Sequence, residues 1–282
     1  MDVTDPIVST AWVAERLSEP ATVVIDASWF MPGTPRDAAA EYAKAHIPGA
    51  VFFGIDEIRD HSSDLPHMLA SPAEFATAAR RLGVSRDSTV IVYDSHGLFS
   101  APRVWWNFRV MGHGASFVLN GGLPRWIAEG RPIENGWRAP EHGDFKAHPD
   151  WTLLADLDGV RRAVEAGGFQ IVDARAADRF TGAAAEPRAG LRSGHMPGAR
   201  NAPWGEFVAD GGLVDRAKLQ SLFEASGVDL ARPVITTCGS GVSASLLALA
   251  LARLGRPDVA VYDGSWSEWG ARDDTPIATG VA

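Results

Sequence analysis

The chain has one cysteine among its 282 residues, so it cannot form an internal disulfide. A single cysteine is compatible with a reducing compartment, and it is either an inert buried side chain or the centre of the chemistry. Basic residues are also few, because 26 Lys and Arg stand against 35 Asp and Glu and give a formal charge of −9. This balance disfavours sequence-independent binding to nucleic acid phosphates, so no nucleic acid partner is expected.

Long apolar runs and targeting segments are missing. The longest aliphatic stretch, SLLALALARL at 245–254, is too short to span a bilayer, so no membrane partner is expected. The start, MDVTDPIVSTAW, has two acids and no apolar run, and it resembles neither a signal peptide nor a transit peptide. We therefore expect a cytoplasmic location.

What the chain does contain is an internal repeat. When residues 1–130 are laid over residues 150–282, four blocks recur in the same order and at nearly constant spacing. The matching blocks are 23–29 with 171–177, 46–50 with 195–199, 90–97 with 234–241, and 118–126 with 261–269. Four blocks in one order indicate a duplicated domain.

Within each repeat, short β-branched runs alternate with segments of helical spacing. This alternation predicts the α/β class, with a mainly parallel sheet flanked by helices in each domain. The segment of about 131–150 is rich in Pro, Gly and charge without periodicity, which is typical of a linker. We therefore expect two tandem domains, an N-terminal one over 1–135 and a C-terminal one over 150–282.

The histidines do not have the spacing of metal ligands. They show no HExxH pattern, and a lone cysteine cannot supply a CxxC pair, so no metal site is expected. His46 and His195 stand at equivalent points of both repeats, including the repeat without a cysteine, so we interpret both as turn residues.

The cysteine follows the apolar strand PVITT and opens the stretch CGSGVSA, after which a strongly apolar helix is predicted. Glycines at 239 and 241 let the backbone curl so that several N–H groups can point at one centre, and the helix N-terminus adds positive potential there. Such a loop favours a thiolate and a persulfide formed on it. The predicted nucleophile is Cys238, and the predicted persulfide loop is Gly239, Ser240, Gly241, Val242 and Ser243.

Two other interpretations of this loop are a structural buried cysteine and a phosphatase loop. A lone cysteine can be a small buried hydrophobic residue without a chemical role. However, Cys238 follows a strand and precedes a glycine-rich turn, which is where ligand sites occur in α/β sheets. A phosphatase loop needs an arginine at the sixth position after its cysteine, and that position here is Ala244. The first repeat has Asp94 in place of Cys238, so only the second domain is expected to carry sulfur.

These blocks resemble the tandem rhodanese-like sulfurtransferases over essentially the full length of the chain. A loop of the form CGSGVSA is similar to that of the 3-mercaptopyruvate type, whereas thiosulfate:cyanide enzymes typically carry bulky basic residues directly after the cysteine. Gly239 and Ser240 place this sequence with the first group. A neutral loop with hydroxyl groups suits an uncharged sulfur leaving a keto acid, while a cationic loop suits dianionic thiosulfate.

The resemblance implies further site residues. Arg179 and Arg188 match two arginines that hold the donor's carboxylate and keto oxygen, a task that suits the planar guanidinium fork. Ser240, His67 and Asp56 match a relay like that of serine proteases, which would protonate the departing enolate or polarise the keto group. In that reading His67 and Asp56 reach from the first domain to the second.

The expected reaction is transfer of sulfur from 3-mercaptopyruvate through a Cys238 persulfide to thioredoxin, a small thiol or cyanide, with release of pyruvate and without a cofactor. One alternative is a thiosulfate:cyanide sulfurtransferase, which the same fold and cysteine permit. A second is a non-catalytic persulfide carrier, in which Arg179 and Arg188 would be dispensable.

Overall fold

The computed structural model describes residues 5–281. Residues 1–4, which belong to the N-terminal segment used above for the expected location, and Ala282 lie outside the described residues. No helix between residues 5 and 281 is long and apolar enough to cross a membrane.

The chain forms two compact units, and neither is a single continuous segment. Within the described chain, unit 1 comprises 5–61, 69–150 and 210–213. Unit 2 comprises 62–68, 151–209 and 214–281. Each unit therefore takes a short piece of chain from the other half of the sequence.

Unit 1 contains a five-stranded parallel sheet in the order β1-β5-β4-β2-β3. Its strands are β1 (Ile7–Val8), β2 (Thr22–Asp26), β3 (Val51–Phe52), β4 (Thr89–Tyr93) and β5 (Ser116–Leu119). Its helices are α1 (Thr10–Arg16), α2 (Ala38–Lys44), α3 (Pro72–Arg81), α4 (Ala101–Val110) and α5 (Gly122–Ala128). The β-branched runs predicted as strands form the buried centre of this sheet.

Unit 2 contains a second five-stranded parallel sheet, in the order β6-β12-β11-β7-β8. Its strands are β6 (Leu154–Ala155), β7 (Gln170–Asp173), β8 (Arg200–Asn201), β11 (Val234–Thr237) and β12 (Ala260–Tyr262). Two further short strands are β9 (Val208–Ala209) and β10 (Gly212–Leu213). The helices are α6 (Leu157–Ala166), α7 (Ala177–Thr181), α8 (Arg216–Ala225), α9 (Val242–Arg253) and α10 (Ser265–Trp269), and two 3-10 turns span Trp151–Leu153 and Trp204–Phe207.

The two sheets have the same strand order, with β2, β4 and β5 of unit 1 corresponding to β7, β11 and β12 of unit 2. Individual hydrogen bonds repeat as well. The Ala27 amide donates to the Tyr93 carbonyl at 2.8 Å, and the Ala174 amide donates to the Thr237 carbonyl at the same distance. The α/β class and the duplication predicted from the sequence are confirmed.

The equivalent histidines of the turns at 46–50 (HIPGA) and 195–199 (HMPGA) have the same environment. His46 places Nδ1 2.8 Å from the Tyr42 carbonyl and stacks on the Tyr42 ring, with 4.3 Å between ring centroids. His195 places Nδ1 2.8 Å from the Phe180 carbonyl and stacks on that ring at 3.9 Å. Both side chains are buried, so they hold the turn of each repeat in place.

The segment expected to be a linker packs against unit 1 without helix or strand. The Phe145 ring contacts Phe75 and Phe108 with edge-on geometry, at centroid distances of 6.0 and 6.1 Å. The amides of His148 and Asp150 donate to carbonyls at the end of α4. Residues 131–150 are thus part of the surface of unit 1, which extends to residue 150.

Candidate active site

Cys238 lies at the carboxyl end of β11, between that buried strand and α9. The thiol is buried, with 2% of the residue exposed. Gly241 has φ of 81°, a left-handed conformation that glycine adopts without strain, and α9 begins at the next residue. The chain therefore reverses within residues 238–243, which we name the cysteine loop.

The loop presents open amide groups. Within residues 5–281, the backbone N–H groups of Gly239, Ser240 and Gly241 donate to no protein acceptor. The twelve-residue helix α9 begins beside them, and its N-terminus carries positive partial charge. Unsatisfied N–H groups at a helix start favour an anion, so this loop is suited to a thiolate or a persulfide.

The equivalent loop of unit 1 shows the same preference with its own anion. The Asp94 carboxylate accepts four backbone N–H bonds of 2.8 to 2.9 Å at the start of α4, from His96, Phe99, Ser100 and Ala101. Asp94 is completely buried. In the repeat without a cysteine, a carboxylate therefore satisfies the helix N-terminus from within.

The two predicted donor-binding arginines lie beside the cysteine loop. A carbon atom built in the β position of Gly239 would lie 3.1 Å from Nη2 of Arg179 and 3.9 Å from Nη1 of Arg188. Arg188 also donates from Nη2 to the Ser240 hydroxyl at 3.4 Å. The absence of a side chain at residue 239 thus leaves room for two guanidinium groups to face the loop.

A buried ion-pair network supports one of these arginines. Glu186, whose side chain is 1% exposed, accepts from Nη2 of Arg179 at 2.5 Å and from Nη1 of Arg175 at 2.8 Å. Arg175 in turn binds the Asp173 carboxylate, at 2.6 Å from Nη2, and lies over the Trp266 ring. Buried charges need such pairing, so Glu186 fixes the orientation of Arg179.

Sequence reasoning gave no role to Glu186 or Arg175. The signal that marks Arg175 is in the repeat, because unit 1 has Ser28 at the corresponding position, and the Ser28 amide donates to the Asp26 carboxylate at 2.9 Å. Burial raises the pKa of Asp26 to about 6, although hydrogen bonds from Ser28 oppose the shift. The second repeat thus adds a cation that the first repeat lacks.

The three predicted relay residues are distributed over both units. Ser240 lies in the cysteine loop, and the hydrogen bond that the structure gives its hydroxyl comes from Arg188. His67 belongs to the 62–68 piece of unit 2, where it is buried and has φ of 61°. Asp56 belongs to unit 1, is exposed, and accepts from the indole N–H of Trp29 at 2.8 Å.

A search of the described residues for clusters of three or more His, Cys, Asp or Glu side chains able to hold a metal ion finds none. The groups that the structure places at the cysteine loop are a buried thiol, open amides and two arginines.

The fold and this loop define a class: a duplicated α/β protein with a cysteine-bearing strand-to-helix turn in its second repeat. The model of the rhodanese-like domain matches the chain twice, over residues 9–129 and 156–272. The chain belongs to the rhodanese-like domain family, which confirms the resemblance inferred from the sequence.

Similar proteins share the whole two-repeat arrangement. The 3-mercaptopyruvate sulfurtransferase of Escherichia coli strain K12 is 45% identical over 271 residues, which are 96% of each chain. The thiosulfate sulfurtransferase of Bos taurus is 46% identical over 271 residues, covering 93% of this chain and 91% of the relative. Among solved structures, SseA from Escherichia coli, described with the rhodanese fold of 3-mercaptopyruvate sulfotransferases, has a TM-score of 0.86 and 43% identity. That match covers 94% of this chain and all of the other.

Proposed function

We propose that this protein is a 3-mercaptopyruvate sulfurtransferase that carries sulfur on Cys238. The observation that supports this most directly is the pair Arg179 and Arg188 beside Gly239, next to an open loop that carries no cation of its own. Two guanidinium groups suit a small 2-keto acid, because one carboxylate and one neighbouring keto oxygen can each accept from a planar fork.

In the first half-reaction the Cys238 thiolate attacks the sulfur of 3-mercaptopyruvate. A sulfur–sulfur bond forms, the carbon–sulfur bond breaks, and its electron pair becomes the enolate of pyruvate. The transferred sulfur brings its hydrogen as a persulfide proton. Ionisation of the persulfide releases one proton and the enolate takes up one proton, so the products are a persulfide anion and pyruvate.

In the second half-reaction an acceptor thiolate attacks the outer sulfur of the persulfide. The new sulfur–sulfur bond forms on the acceptor, and the Cys238 thiolate leaves with the electron pair of the old one. We propose a small thiol, thioredoxin or cyanide as acceptor; with cyanide the new bond is a carbon–sulfur bond and the product is thiocyanate. The amides of Gly239, Ser240 and Gly241 can stabilise both states of Cys238, since the thiolate and the persulfide each place negative charge near these N–H groups.

Ser240, His67 and Asp56 stay predicted as the relay that handles the enolate proton. Ser240 has support from its position in the cysteine loop and from its hydrogen bond with Arg188, which would lie near the keto oxygen held by that arginine. A cytoplasmic location also stays a prediction, supported by a free, buried cysteine that suits a reducing compartment.

Thiosulfate is the second candidate donor, because a thiosulfate sulfurtransferase is among the similar proteins. Two arginines can also attract a dianion. The loop itself opposes this alternative, since Gly239 and Ser240 offer no charge where thiosulfate:cyanide enzymes typically have basic side chains.

The test is a comparison of pyruvate release from 3-mercaptopyruvate with sulfite release from thiosulfate, using one thiol acceptor. A larger kcat/KM for 3-mercaptopyruvate, abolished in Cys238→Ser, supports the proposal. A larger value for thiosulfate would retain the nucleophile and reassign the donor. Absence of turnover with both donors would favour the persulfide carrier instead.

A further inference from the structure

A backbone hydrogen bond between the strand-to-helix loop and the segment after the last strand occurs in both repeats. In unit 1 the Leu123 amide donates to the Asp94 carbonyl at 3.1 Å, and in unit 2 the Trp266 amide donates to the Cys238 carbonyl at 3.0 Å. The bond therefore belongs to the fold and is independent of the cysteine. It also fixes which residues of the two segments correspond.

Counted from this bond, Gly122 corresponds to Ser265, and Pro124 corresponds to Ser267. Neither residue of the first repeat has a hydroxyl group, and proline has no amide hydrogen. The second repeat has a hydroxyl at both positions and an amide hydrogen at the second. The repeat that contains the cysteine can therefore form bonds that the other cannot.

Three of these additional bonds hold the backbone of the cysteine loop. The Ser265 hydroxyl accepts from the Cys238 amide at 3.2 Å and donates to the Tyr262 carbonyl at 2.8 Å. Ser267 donates twice to the Gly239 carbonyl, from its amide at 2.9 Å and from its hydroxyl at 2.7 Å. We name Ser265 and Ser267 the serine clamp.

Ser265 is an unfavourable residue for its own backbone. Its φ is 49°, in the left-handed region that favours glycine, and the corresponding Gly122 has a φ of 51°. The serine is also completely buried, so its hydroxyl is not stabilised by hydrogen bonds to solvent. Glycine would be less strained there, and the hydrogen-bond partners that the serine gains are the Cys238 amide, the Tyr262 carbonyl and, at 3.4 Å, the Thr237 hydroxyl.

We propose that Ser265 is a positioning residue for the Cys238 nucleophile, supported by Ser267. Ser265 fixes the peptide plane before Cys238 through the Cys238 amide. Ser267 fixes the peptide plane after Gly239 through the Gly239 carbonyl. With these two planes held, the open amides of 239–241 stay directed at one centre and stabilise the thiolate. The inference rests on the proposed function in that Cys238 is the nucleophile.

The test uses the fact that Cys238 is the only cysteine, so alkylation by iodoacetamide reports on this residue alone. Alkylation rates are followed by intact mass between about pH 5 and pH 9 for Ser265→Ala, Ser265→Gly, Ser267→Ala and the unchanged protein. Ser226→Ala is the matched control, because Ser226 bonds only within its helix end, to the Leu222 carbonyl. Thermal unfolding shows which variants are folded.

We expect both Ser265 variants to shift the midpoint of the pH–rate profile upward by about half a pH unit or more. The rate near pH 7 should fall about threefold or more, since the thiolate fraction falls accordingly. Ser267→Ala should shift less, because its amide bond to Gly239 remains. The Ser226→Ala profile should match the unchanged protein.

An unshifted profile in a folded Ser265→Ala would overturn the proposal. If that variant does not fold, Ser265→Gly decides, since glycine relieves the left-handed strain and removes the same hydroxyl. A shift in Ser265→Ala that Ser265→Gly lacks would assign the effect to strain and would also overturn it. Alkylation needs no sulfur donor, so failure of donor turnover would contradict the proposed function without affecting this result.

Discussion

Asp94 and Cys238 occupy the same position of two repeats and meet the same structural demand in different ways. The Asp94 carboxylate accepts four backbone N–H groups at the start of α4. Among the described residues, the cysteine loop leaves three N–H groups without a protein acceptor at the start of α9. In the first repeat a side chain of the loop itself satisfies the helix N-terminus, whereas in the second repeat the open amides are available to the anion that the proposed reaction forms on Cys238.

The four amide bonds to Asp94 predict that substitution of this residue lowers stability and has no direct effect on catalysis. Asp94→Ala should lower the free energy of unfolding by about 1–3 kcal/mol, because buried amides lose their acceptor. Asp94→Asn should cost less, since the amide oxygen still accepts. Chemical denaturation measures both, and exposed Asp87→Ala is the control. An unchanged unfolding free energy in Asp94→Ala would contradict the assigned role.

The two arginines predict a loss of donor binding. Arg179→Gln or Arg188→Gln should raise KM for 3-mercaptopyruvate about 10- to 100-fold, since a charge-assisted hydrogen bond is lost. Exposed Arg162 of α6 provides a matched control, and Arg162→Gln should leave KM unchanged. Steady-state kinetics with the donor varied measures the effect. Unchanged KM in both variants would favour the carrier alternative.

Glu186 predicts an effect on both stability and donor binding. Glu186→Gln keeps the shape but removes the charge between Arg175 and Arg179, so unit 2 should lose about 2 kcal/mol of stability. KM should also rise, because Arg179 loses its fixed orientation. Exposed Glu165→Gln is the control. If donor KM stays constant while stability falls, Glu186 acts on the fold alone.

The raised pKa of Asp26 predicts that the stability of the protein depends on pH. Burial raises its folded-state pKa to about 6 from the ordinary 3.8, so folding favours the protonated form. This contribution is fully present below about pH 4 and is lost as pH rises through about 6. Asp26→Asn should therefore gain stability relative to the unchanged protein as the pH rises between those values, and the gain should have reached about 2–3 kcal/mol at pH 7. Parallel pH curves of the two melting temperatures would contradict the assignment.

Much of this architecture could be predicted from the chain alone. The alternation of β-branched runs and helical segments is a local property, and the duplicated blocks repeat it, so the α/β class followed directly. The cysteine loop was also predictable, because strand, glycine turn and apolar helix are adjacent in sequence. Gly83 and Gly255 have φ of 82° and 89° two residues after the last residues of α3 and α9, a left-handed conformation that commonly follows a helix end.

The parts that escaped prediction depend on contacts between residues distant in the chain. Glu186 resembles any exposed loop acid until the fold places it between Arg175 and Arg179. The bond from the Cys238 amide to Ser265 spans 27 residues, and no spacing rule indicates it. Trp266 and Trp269 are completely buried in the core of unit 2, where they pack against residues from several distant segments.

The most direct test of the account is the intact mass of the protein after brief incubation with 3-mercaptopyruvate and without an acceptor. We expect a species about 32 Da heavier, the mass of one sulfur atom, together with one equivalent of pyruvate. A thiol should reverse the mass gain, and Cys238→Ser should show neither product. Pyruvate release by Cys238→Ser at the rate of the unchanged protein would contradict the central claim that Cys238 carries the sulfur.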